Sequence, residues 1–429
     1  MTKLKKLLKS DLVKVSSLSS ISTLVKVLTG FVSVKVVAVL IGPGGVALLS
    51  QLNNFSSIFM SVSNGGINNG VTKYVAEYSG SKAKVAMFLR TSFLITTSLS
   101  IVCGLILILG SYYFSGLILR DVKYTSILIV FGFTLIMYSL NSLLIAIING
   151  FKEFKRYVKV NVIDSIIGLI FTIILSRYFG IYGALLAAVT YQSIIFFSTL
   201  IIVRKCVWFK WSNFKGAFSK AAALKLSHYS LMTLVSAATV PVSQLIIRSY
   251  MVRHTSLNDA GIWSGMTSIS SAYLMIVTTS LSVYYLPRLA EIKNDFELRK
   301  EILNTYKIIV PIIILCSLSI FLLRGIIIQV IFDKKFYGMK DLFAFQLTGD
   351  FFKMCTWILA YQFIAKAMTK LYIIVEIGFS ILFVGFSCFL INHYGNVGVT
   401  MAYAMNYLIC FIVMLIVFRK LLFKREYER

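Results

Sequence analysis

Two lysines lie inside the first long apolar stretch of this chain. Burying an ammonium group there costs free energy, so each lysine is a candidate functional residue. Lys26 is about nine residues into the stretch, roughly 14 Å along a helix, which is too deep for its charge to reach water easily. Lys35 is nine residues further on, half a turn round in phase, and near enough to the far end to snorkel. A deep ammonium without a sequence partner is suited to binding an anion.

Four further charges have neighbours that could neutralise them. Asp350 and Lys353 are three residues apart, so they share a helix face, and a self-neutralising structural pair is the favoured interpretation. Asp164 and Glu376 lie a turn or two inside apolar stretches. Each is either a proton-coupling carboxylate or a partner of nearby loop lysines, and the sequence leaves both alternatives open.

Neutral polar residues concentrate in the second and eighth apolar stretches, and the amides there should turn away from lipid. Two explanations stay open. The groups hold helices together, or they line a hydrated cavity whose hydroxyls and amides suit the hydroxyls of a sugar. Two arginines near stretch ends are expected at the membrane interface or at a cavity mouth. The candidate substrate-binding residues are Lys26, Lys35, Asn53, Asn54, Asn64, Asn68, Lys73, Arg90, Arg248, Ser268, Ser271, Asp350 and Lys353.

The elements that must position these residues are membrane-spanning helices. The 429 residues are 58% hydrophobic and the mean hydropathy is +0.85, which excludes a soluble globular protein. Twelve apolar stretches are each long enough to cross about 30 Å of hydrocarbon as a helix. They are residues 17–40, 45–70, 85–110, 125–149, 158–179, 181–203, 227–250, 260–286, 303–331, 342–365, 371–392 and 397–418. The ninth is long and is expected to be tilted, or broken near Arg324.

Most of the basic residues behind the net charge of +27 lie in short loops between apolar spans. This distribution is typical of membrane topology, whereas nucleic-acid binding would need one folded basic surface. One side of the twelve spans, including the ends of the spans there, carries 31 Lys and Arg, and the other side carries 9. Because basic loops stay in the cytoplasm, both termini are predicted to be cytoplasmic. The lysine-rich start, residues 1–14, precedes an apolar stretch that is too long for a signal peptide, so we expect a retained first span.

The two halves of the chain repeat each other. Thr29 recurs as Thr239 within a set of matches at an offset of 210 residues, and Gly180 recurs as Gly395 within a set at an offset of 215. Each half, 1–210 and 211–429, then holds six spans that enter from the same side. Such halves are related by a pseudo-two-fold axis along the membrane normal, and a binding site is expected between them near the midplane.

Motifs for enzymatic or metal chemistry are weak. The six cysteines have no metal-ligand or redox spacing, and the three histidines accompany no nucleophile pattern. The glycine-rich turn at residues 42–45 is not followed by the Lys-Ser/Thr of a phosphate loop. We therefore expect a protein that is not an enzyme, with no metal and no cofactor.

Several short runs resemble Wzx-type lipid-linked oligosaccharide flippases, and together they cover nearly the whole chain. The runs are residues 70–78 (GVTKYVAEY), 261–263, 268–270, 272–274, 285–287, 341–344, 346–347, 349–350, Lys353 and 365–367. The resemblance implies the multidrug/oligosaccharidyl-lipid/polysaccharide (MOP) export superfamily. Its fold is all-α, with twelve helices in two six-helix lobes, V-shaped around a cavity lined by spans one, two, seven and eight.

The resemblance also implies a substrate and a place. The substrate would be an undecaprenyl-pyrophosphate-linked oligosaccharide, moved from the cytoplasmic to the periplasmic leaflet of the bacterial inner membrane by alternating access. The polymerase and the chain-length regulator of the same glycan pathway would be partners. Asn53 and Asn54 replace an Asn-Phe-Arg run typical of the enterobacterial common antigen flippases, so an O-antigen unit is an equal candidate. The rival interpretation is a cation-coupled multidrug exporter, although organic cations call for an acidic cavity.

Overall fold

Every regular element in the part of the chain that the structure describes is a helix, as the sequence predicts. The structure is a computed structural model, and it describes residues 11–366 and 368–423. The basic start and the end of the C-terminal tail, both used in the orientation argument, lie outside the described residues. The helices are α1 (Asp11–Ser63), α2 (Asn68–Glu77), α3 (Lys82–Leu109), α4 (Ser111–Phe114), α5 (Thr125–Gly150), α6 (Phe154–Val203), α7 (Lys220–His254), α8 (Leu257–Ser280), α9 (Leu286–Glu291), α10 (Asp295–Ile331), α11 (Phe343–Ala365), α12 (Thr369–Val417) and α13 (Arg419–Phe423). Short 3-10 segments lie at Val122–Tyr124, Trp211–Asn213 and Lys334–Leu342, and π segments at Ser115–Leu119 and Leu281–Tyr285.

Eight of the described helices are long and apolar enough to cross a membrane. In three of them a glycine interrupts the helical dihedral angles: Gly42 in α1, Gly180 in α6 and Gly395 in α12. Each of those helices therefore contributes two segments. The 23-residue helix α11, about 34 Å long, completes the twelve predicted spans. The predicted all-α integral membrane fold is confirmed.

The interruptions at Gly180 and Gly395 turn the chain back on itself. Gly180 has φ 56° and ψ −132°, and Gly395 has φ 57° and ψ −135°, a region that essentially only glycine occupies. A Cβ on Gly183 would overlap the carbonyl oxygen of Leu175, although residues eight apart lie about 12 Å apart along a straight helix. The equivalent overlap joins Gly398 to Leu390. Each glycine thus joins two spans without a loop.

The second and eighth spans end differently from the prediction, and the ninth is unbroken. The second span was expected to run to residue 70, but α1 ends at Ser63. Gly65 and Gly66, with φ of 61° and 64°, cap α1 by donating to the carbonyls of Val62 and Ser61, so that a separate helix, α2, begins at Asn68. The eighth span becomes α8 followed by a π segment. The ninth, α10, is continuous through Arg324, whose guanidinium lies 4.1 Å from the ring of Phe321.

The chain forms two compact units, each with its own apolar core. The first comprises the described residues up to Ile41 together with Leu48–Val242, and the second comprises Gly42–Ala47 with the described residues from Ser243 onward. The core of the first unit is built on residues such as Val71, Val75, Phe88, Leu89 and Ile147, and that of the second on Tyr285, Leu289, Ile302, Ile358 and Phe363. The predicted lobe boundary after residue 210 stays a prediction.

Candidate substrate-binding residues

The carboxylate of Asp350 is held by hydroxyl groups deep inside the second unit. Asp350 lies on α11 and is fully buried. Its Oδ2 accepts hydrogen bonds from Ser270 Oγ at 2.7 Å and Tyr273 OH at 2.8 Å, both on α8. Its Oδ1 accepts one from Tyr403 OH on α12 at 2.8 Å, and Gln346 Nε2 lies 3.5 Å away. Three helices therefore converge on one carboxylate, and charge-assisted bonds of this kind are the strong ones.

Lys353, one helical turn along α11, points its charge at aromatic rings. Its Nζ lies 5.0 Å from the ring centroid of Trp357, 5.7 Å from that of Tyr403 and 5.4 Å from that of Tyr407. Rings at this distance stabilise a cation through their quadrupoles. Tyr403 is shared, because its hydroxyl binds Asp350 while its ring faces Lys353.

Asp350 and Lys353 act on each other's charge, as expected of a self-neutralising pair, but they do so without a direct ion pair. Ion pairs closer than 4.0 Å in the described ranges include Asp121–Lys123, Glu153–Arg156 and Glu291–Arg288, whereas Asp350 and Lys353 make their short contacts to other groups. Asp350 and Glu376 both act on Lys353 at longer range. The spacing does put the two charges near each other, but tyrosine and serine hydroxyls from α8 and α12 take the positions around the carboxylate that the ammonium would have occupied.

Arg248 is buried rather than interfacial, so that expectation is wrong. Its side chain is 1% exposed, because α7 continues to His254 and the following helix packs over it. Arg248 Nε donates to Ser264 Oγ at 3.0 Å, and the guanidinium lies 5.2 Å from the ring of Trp263. Ser268 donates to the carbonyl oxygen of Ser264 at 2.9 Å, whereas Ser271 on the same helix is exposed.

In the first unit, Lys26 is exposed on α1, and its charge acts on the carboxylate of Asp164 on α6. Asp164 thus interacts with a cation inside a span, which adds a third case to the two alternatives weighed from the sequence. Lys35 is half-buried further along α1. Asn53 is exposed and Asn54 is half-buried.

The remaining amides are engaged in helix packing. Asn64 is buried, and its Nδ2 donates to the carbonyl oxygen of Met60 at 2.9 Å. Asn68 Nδ2 donates to Ser142 Oγ on α5 at 2.7 Å, and Ser139 Oγ on the same helix donates to Ser63 Oγ at 2.8 Å. At this end of the second span the contacts favour the helix-packing explanation over the cavity explanation.

The repeated threonines are used in the same way in both halves. Thr29 Oγ1 donates to the carbonyl oxygen of Val25 at 2.8 Å, and Thr239 Oγ1 donates to that of Val235 at 2.6 Å. The two bonds are related by the 210-residue offset. A hydroxyl that donates to its own helix keeps lone pairs that accept from a ligand.

Lys73 lies on α2, outside the apolar spans, and Arg90 lies in the first third of the neighbouring helix α3. Lys73 is exposed near the end of α2, with its Nζ 5.3 Å from the ring centroid of Tyr74. Arg90 is half-buried in α3, and its NH2 donates to the carbonyl oxygen of Ser212 at 3.2 Å. Arg90 therefore ties the loop before α7 to α3.

Sequence reasoning missed the aromatic and hydroxyl partners of the buried charges. Tyr403 and Tyr407 are four residues apart and Ser270 and Tyr273 are three apart, spacings that place each pair on one helix face. That periodicity was a usable signal, but it does not say which charge each pair faces.

The fold and these residues define a class of protein. Twelve apolar segments in two units, with buried charges held by hydroxyls and rings, describe a multi-pass membrane transporter; no group of metal-ligating side chains occurs among the described residues. Solved structures share the fold at 14% identity. An inward-facing multidrug resistance MATE family transporter of the MOP superfamily has a TM-score of 0.74, with 93% of this chain and 95% of that chain covered. A MOP superfamily transporter from Pyrococcus furiosus, 13% identical, has a TM-score of 0.64 and coverages of 97% and 98%.

The chain belongs to the family described as polysaccharide biosynthesis protein, which matches residues 12–293. It is 30% identical over 401 residues to the Lipid III flippase of Escherichia coli (strain K12), covering 94% of this chain and 96% of that protein. The Lipid III flippase of Shigella flexneri matches to the same extent. The resemblance to Wzx-type flippases drawn from the sequence is confirmed.

Proposed function

We propose that this protein is a flippase that moves an undecaprenyl-pyrophosphate-linked oligosaccharide from the cytoplasmic to the periplasmic leaflet of the bacterial inner membrane by alternating access. The observation that carries the proposal is the 30% identity to the Lipid III flippase across 94% of this chain and 96% of that protein. The intermediate of the enterobacterial common antigen is the first candidate substrate, and an O-antigen repeat unit is the second.

The physical task is to take a pyrophosphate and several sugars across about 30 Å of hydrocarbon. Lys26 supplies an exposed positive charge within a span, and Asp164 offsets part of the cost of keeping it there. Asn53, Asn54 and Ser271 add neutral hydrogen-bonding groups that are exposed or half-buried. These residues of the predicted binding set remain accessible within the apolar spans.

The architecture that we propose has two six-helix lobes, 1–210 and 211–429, with both termini cytoplasmic. The repeated hairpins at Gly180 and Gly395 and the repeated threonine bonds support the duplication. The protein acts as a transporter without catalysing a covalent step. The polymerase and chain-length regulator of the same glycan pathway are its proposed partners.

The substrate is tested in a deletion strain by mass spectrometry of its polyprenyl lipids. Accumulated polyprenyl-linked oligosaccharide with loss of the surface glycan is expected, and its sugars identify the repeat unit. Drug sensitivity with normal glycans would instead favour the multidrug exporter.

Lys26 is tested in the complemented strain. Lys26→Ala should abolish the surface glycan while the protein stays in the membrane, and Lys334→Gln, an exposed lysine of the segment before α11, should restore it fully. Normal glycan in the Lys26 variant would remove this lysine from the mechanism.

Orientation is tested by cysteine labelling in a background without the six native cysteines. A cysteine at Asn213 should react only after the cytoplasmic side is opened, and one at Gly338 should react with an impermeant reagent in intact spheroplasts. The reverse pattern would overturn the orientation.

A further inference from the structure

Three aromatic rings stack where α2 ends and α3 begins. The ring centroids of Tyr74 and Phe88 are 4.9 Å apart and those of Phe88 and Tyr78 are 5.5 Å apart, with interplanar angles of 14° and 18°. Tyr74 and Tyr78 are themselves nearly parallel at 6.1 Å. Phe88 is 1% exposed, so the stack is anchored in the core of the first unit, and both tyrosines are held in place.

Three lysines from three helices surround the two tyrosines. Lys225 at the start of α7 has its Nζ 5.8 Å from the Tyr74 centroid and 5.4 Å from the Tyr78 centroid, and it donates to Tyr78 OH at 3.0 Å. Lys84 in the first turn of α3 lies 5.2 Å from the Tyr78 centroid, and Lys73 lies 5.3 Å from the Tyr74 centroid. We call these five residues the lysine–tyrosine cluster.

Two lysines of the cluster, Lys84 and Lys225, keep their charge without a close acidic partner, since neither belongs to an ion pair closer than 4.0 Å in the described parts of the chain. Glu77 acts on Lys225 only at longer range, so Lys84 and Lys225 remain two positive charges close to the ring of Tyr78. The rings of Tyr74 and Tyr78 attract the ammonium groups of these lysines and hold them in the same place. Mutual repulsion remains, and an anion between the lysines would relieve it.

All three helix ends belong to segments predicted to be cytoplasmic, because residues 73–90 and 204–225 are among the basic loops. On the proposed function, this is the side from which the substrate enters. The head group nearest the membrane surface in such a substrate is its pyrophosphate, which offers several acceptor oxygens and multiple negative charge. Ammonium groups bind phosphate oxygens through charge-assisted hydrogen bonds.

We propose that the lysine–tyrosine cluster is a cytoplasmic capture site for the pyrophosphate of the polyprenyl-linked substrate, separate from the deep lysine of the first span. The proposal rests on the proposed flippase function and on the predicted orientation. A phospholipid phosphate shares part of this chemistry, so the test must separate the two sources of phosphate.

The test measures binding to the full chain in phosphatidylcholine nanodiscs, with geranylgeranyl pyrophosphate as the probe and phosphatidylglycerol as the competing source. Lys84→Gln/Lys225→Gln should weaken pyrophosphate binding about tenfold or more, since both charge-assisted bonds to the probe are lost. Lys84→Arg/Lys225→Arg should bind within about twofold of the wild type, because the charge is kept. The matched control is Lys293→Gln/Lys300→Gln. Both lysines are exposed; Lys293 lies just before α10 and Lys300 in its first two turns. This variant should bind the pyrophosphate as tightly as the wild type.

Two results would overturn the capture site. The glutamine pair could bind the pyrophosphate as tightly as the wild type, or it could lose phosphatidylglycerol and pyrophosphate binding equally, which would mark a general contact with anionic lipid. If the double variant does not accumulate, Lys84→Gln alone takes its place, with an expected loss of about threefold.

Failure of the capture site is distinguishable from failure of the proposed function. If the wild type binds the probe and restores glycan to the deletion strain while the glutamine pair is unchanged in both assays, only the capture site is wrong. If the deletion strain keeps normal glycans and the wild type does not bind the probe, the flippase proposal itself is wrong.

Discussion

Replacing Asp350 should destabilise the second unit by an amount that the geometry predicts. The carboxylate accepts three short hydroxyl bonds, at 2.7, 2.8 and 2.8 Å. In Asp350→Asn the single amide oxygen can still accept the two bonds from Ser270 and Tyr273. The amide NH2 group of the new Asn then faces Tyr403 and the NH2 of Gln346, so the hydrogen bond from Tyr403 is lost or reversed. The hydrogen bonds from Ser270 and Tyr273 remain but now reach a neutral acceptor. Because a bond to a charged group contributes about 1.5–3 kcal/mol and a neutral one about 1, the expected loss is about 2–4 kcal/mol.

Asp350→Leu should cost more, because it leaves three buried hydroxyls without an acceptor and Lys353 without its nearest counter-charge. The expected loss is about 4 kcal/mol or more. Adding Lys353→Met to Asp350→Leu should recover part of that loss, because neighbouring charges are energetically coupled. The order of stability is then wild type, Asp350→Asn, the double variant, and Asp350→Leu.

The assay is heating of the detergent-solubilised full chain followed by fluorescence-detected size-exclusion chromatography. A loss of 2–4 kcal/mol corresponds to a midpoint lower by on the order of 5–10 °C for a unit of this size. Thr348→Val, an exposed position on α11, is the control and should stay within about 0.5 kcal/mol of the wild type. If Asp350→Asn has the same thermal midpoint as that control, Asp350 is not held by the hydroxyls described above and the reasoning fails.

Two further predictions concern the backbone and the buried arginine. Gly180→Ala should destabilise the protein by about 1–3 kcal/mol through backbone strain alone, because no atom lies within 4 Å of the added Cβ. Gly378→Ala, also in open space but at an ordinary helical position, should be neutral or slightly stabilising in the same thermal assay; equal effects would mean that the kink is not strained for alanine. Arg248→Gln should cost about 2–4 kcal/mol because it removes a buried charge-assisted bond and a ring contact. The exposed Arg253→Gln on the same helix should change stability by less than about 0.5 kcal/mol, and similar midpoints for the two variants would contradict the burial of Arg248.

The spans were predictable because apolar length and glycine position are local properties. The predicted breaks at residues 180 and 393–396 coincide with Gly180 and Gly395, where the chain needs a conformation that other residues disfavour. The early end of α1 was missed although Gly65 and Gly66 mark it in the sequence, because the apolar run continues past them.

The partners of the buried charges were not predictable, since they come from distant parts of the chain. Spacing alone places Asp350 and Lys353 on one helix face, but Tyr403 is 53 residues away and Ser270 is 80 away from the carboxylate they both bind. Arg248 was misplaced for a related reason. A sequence window shows where an apolar run ends, but the helix goes on for about one more turn and is covered by its neighbour.

The matching reversals of chain direction at Gly180 and Gly395 also bear on how the two halves arose. Their dihedral angles agree within 1° in φ and 3° in ψ, and each is followed three residues later by a glycine that admits the returning backbone. Two unrelated helical pairs would have no reason to acquire the same one-residue reversal and the same close approach. The predicted duplication therefore implies an ancestral half-length chain that already contained this hairpin, so that doubling copied a finished structural unit.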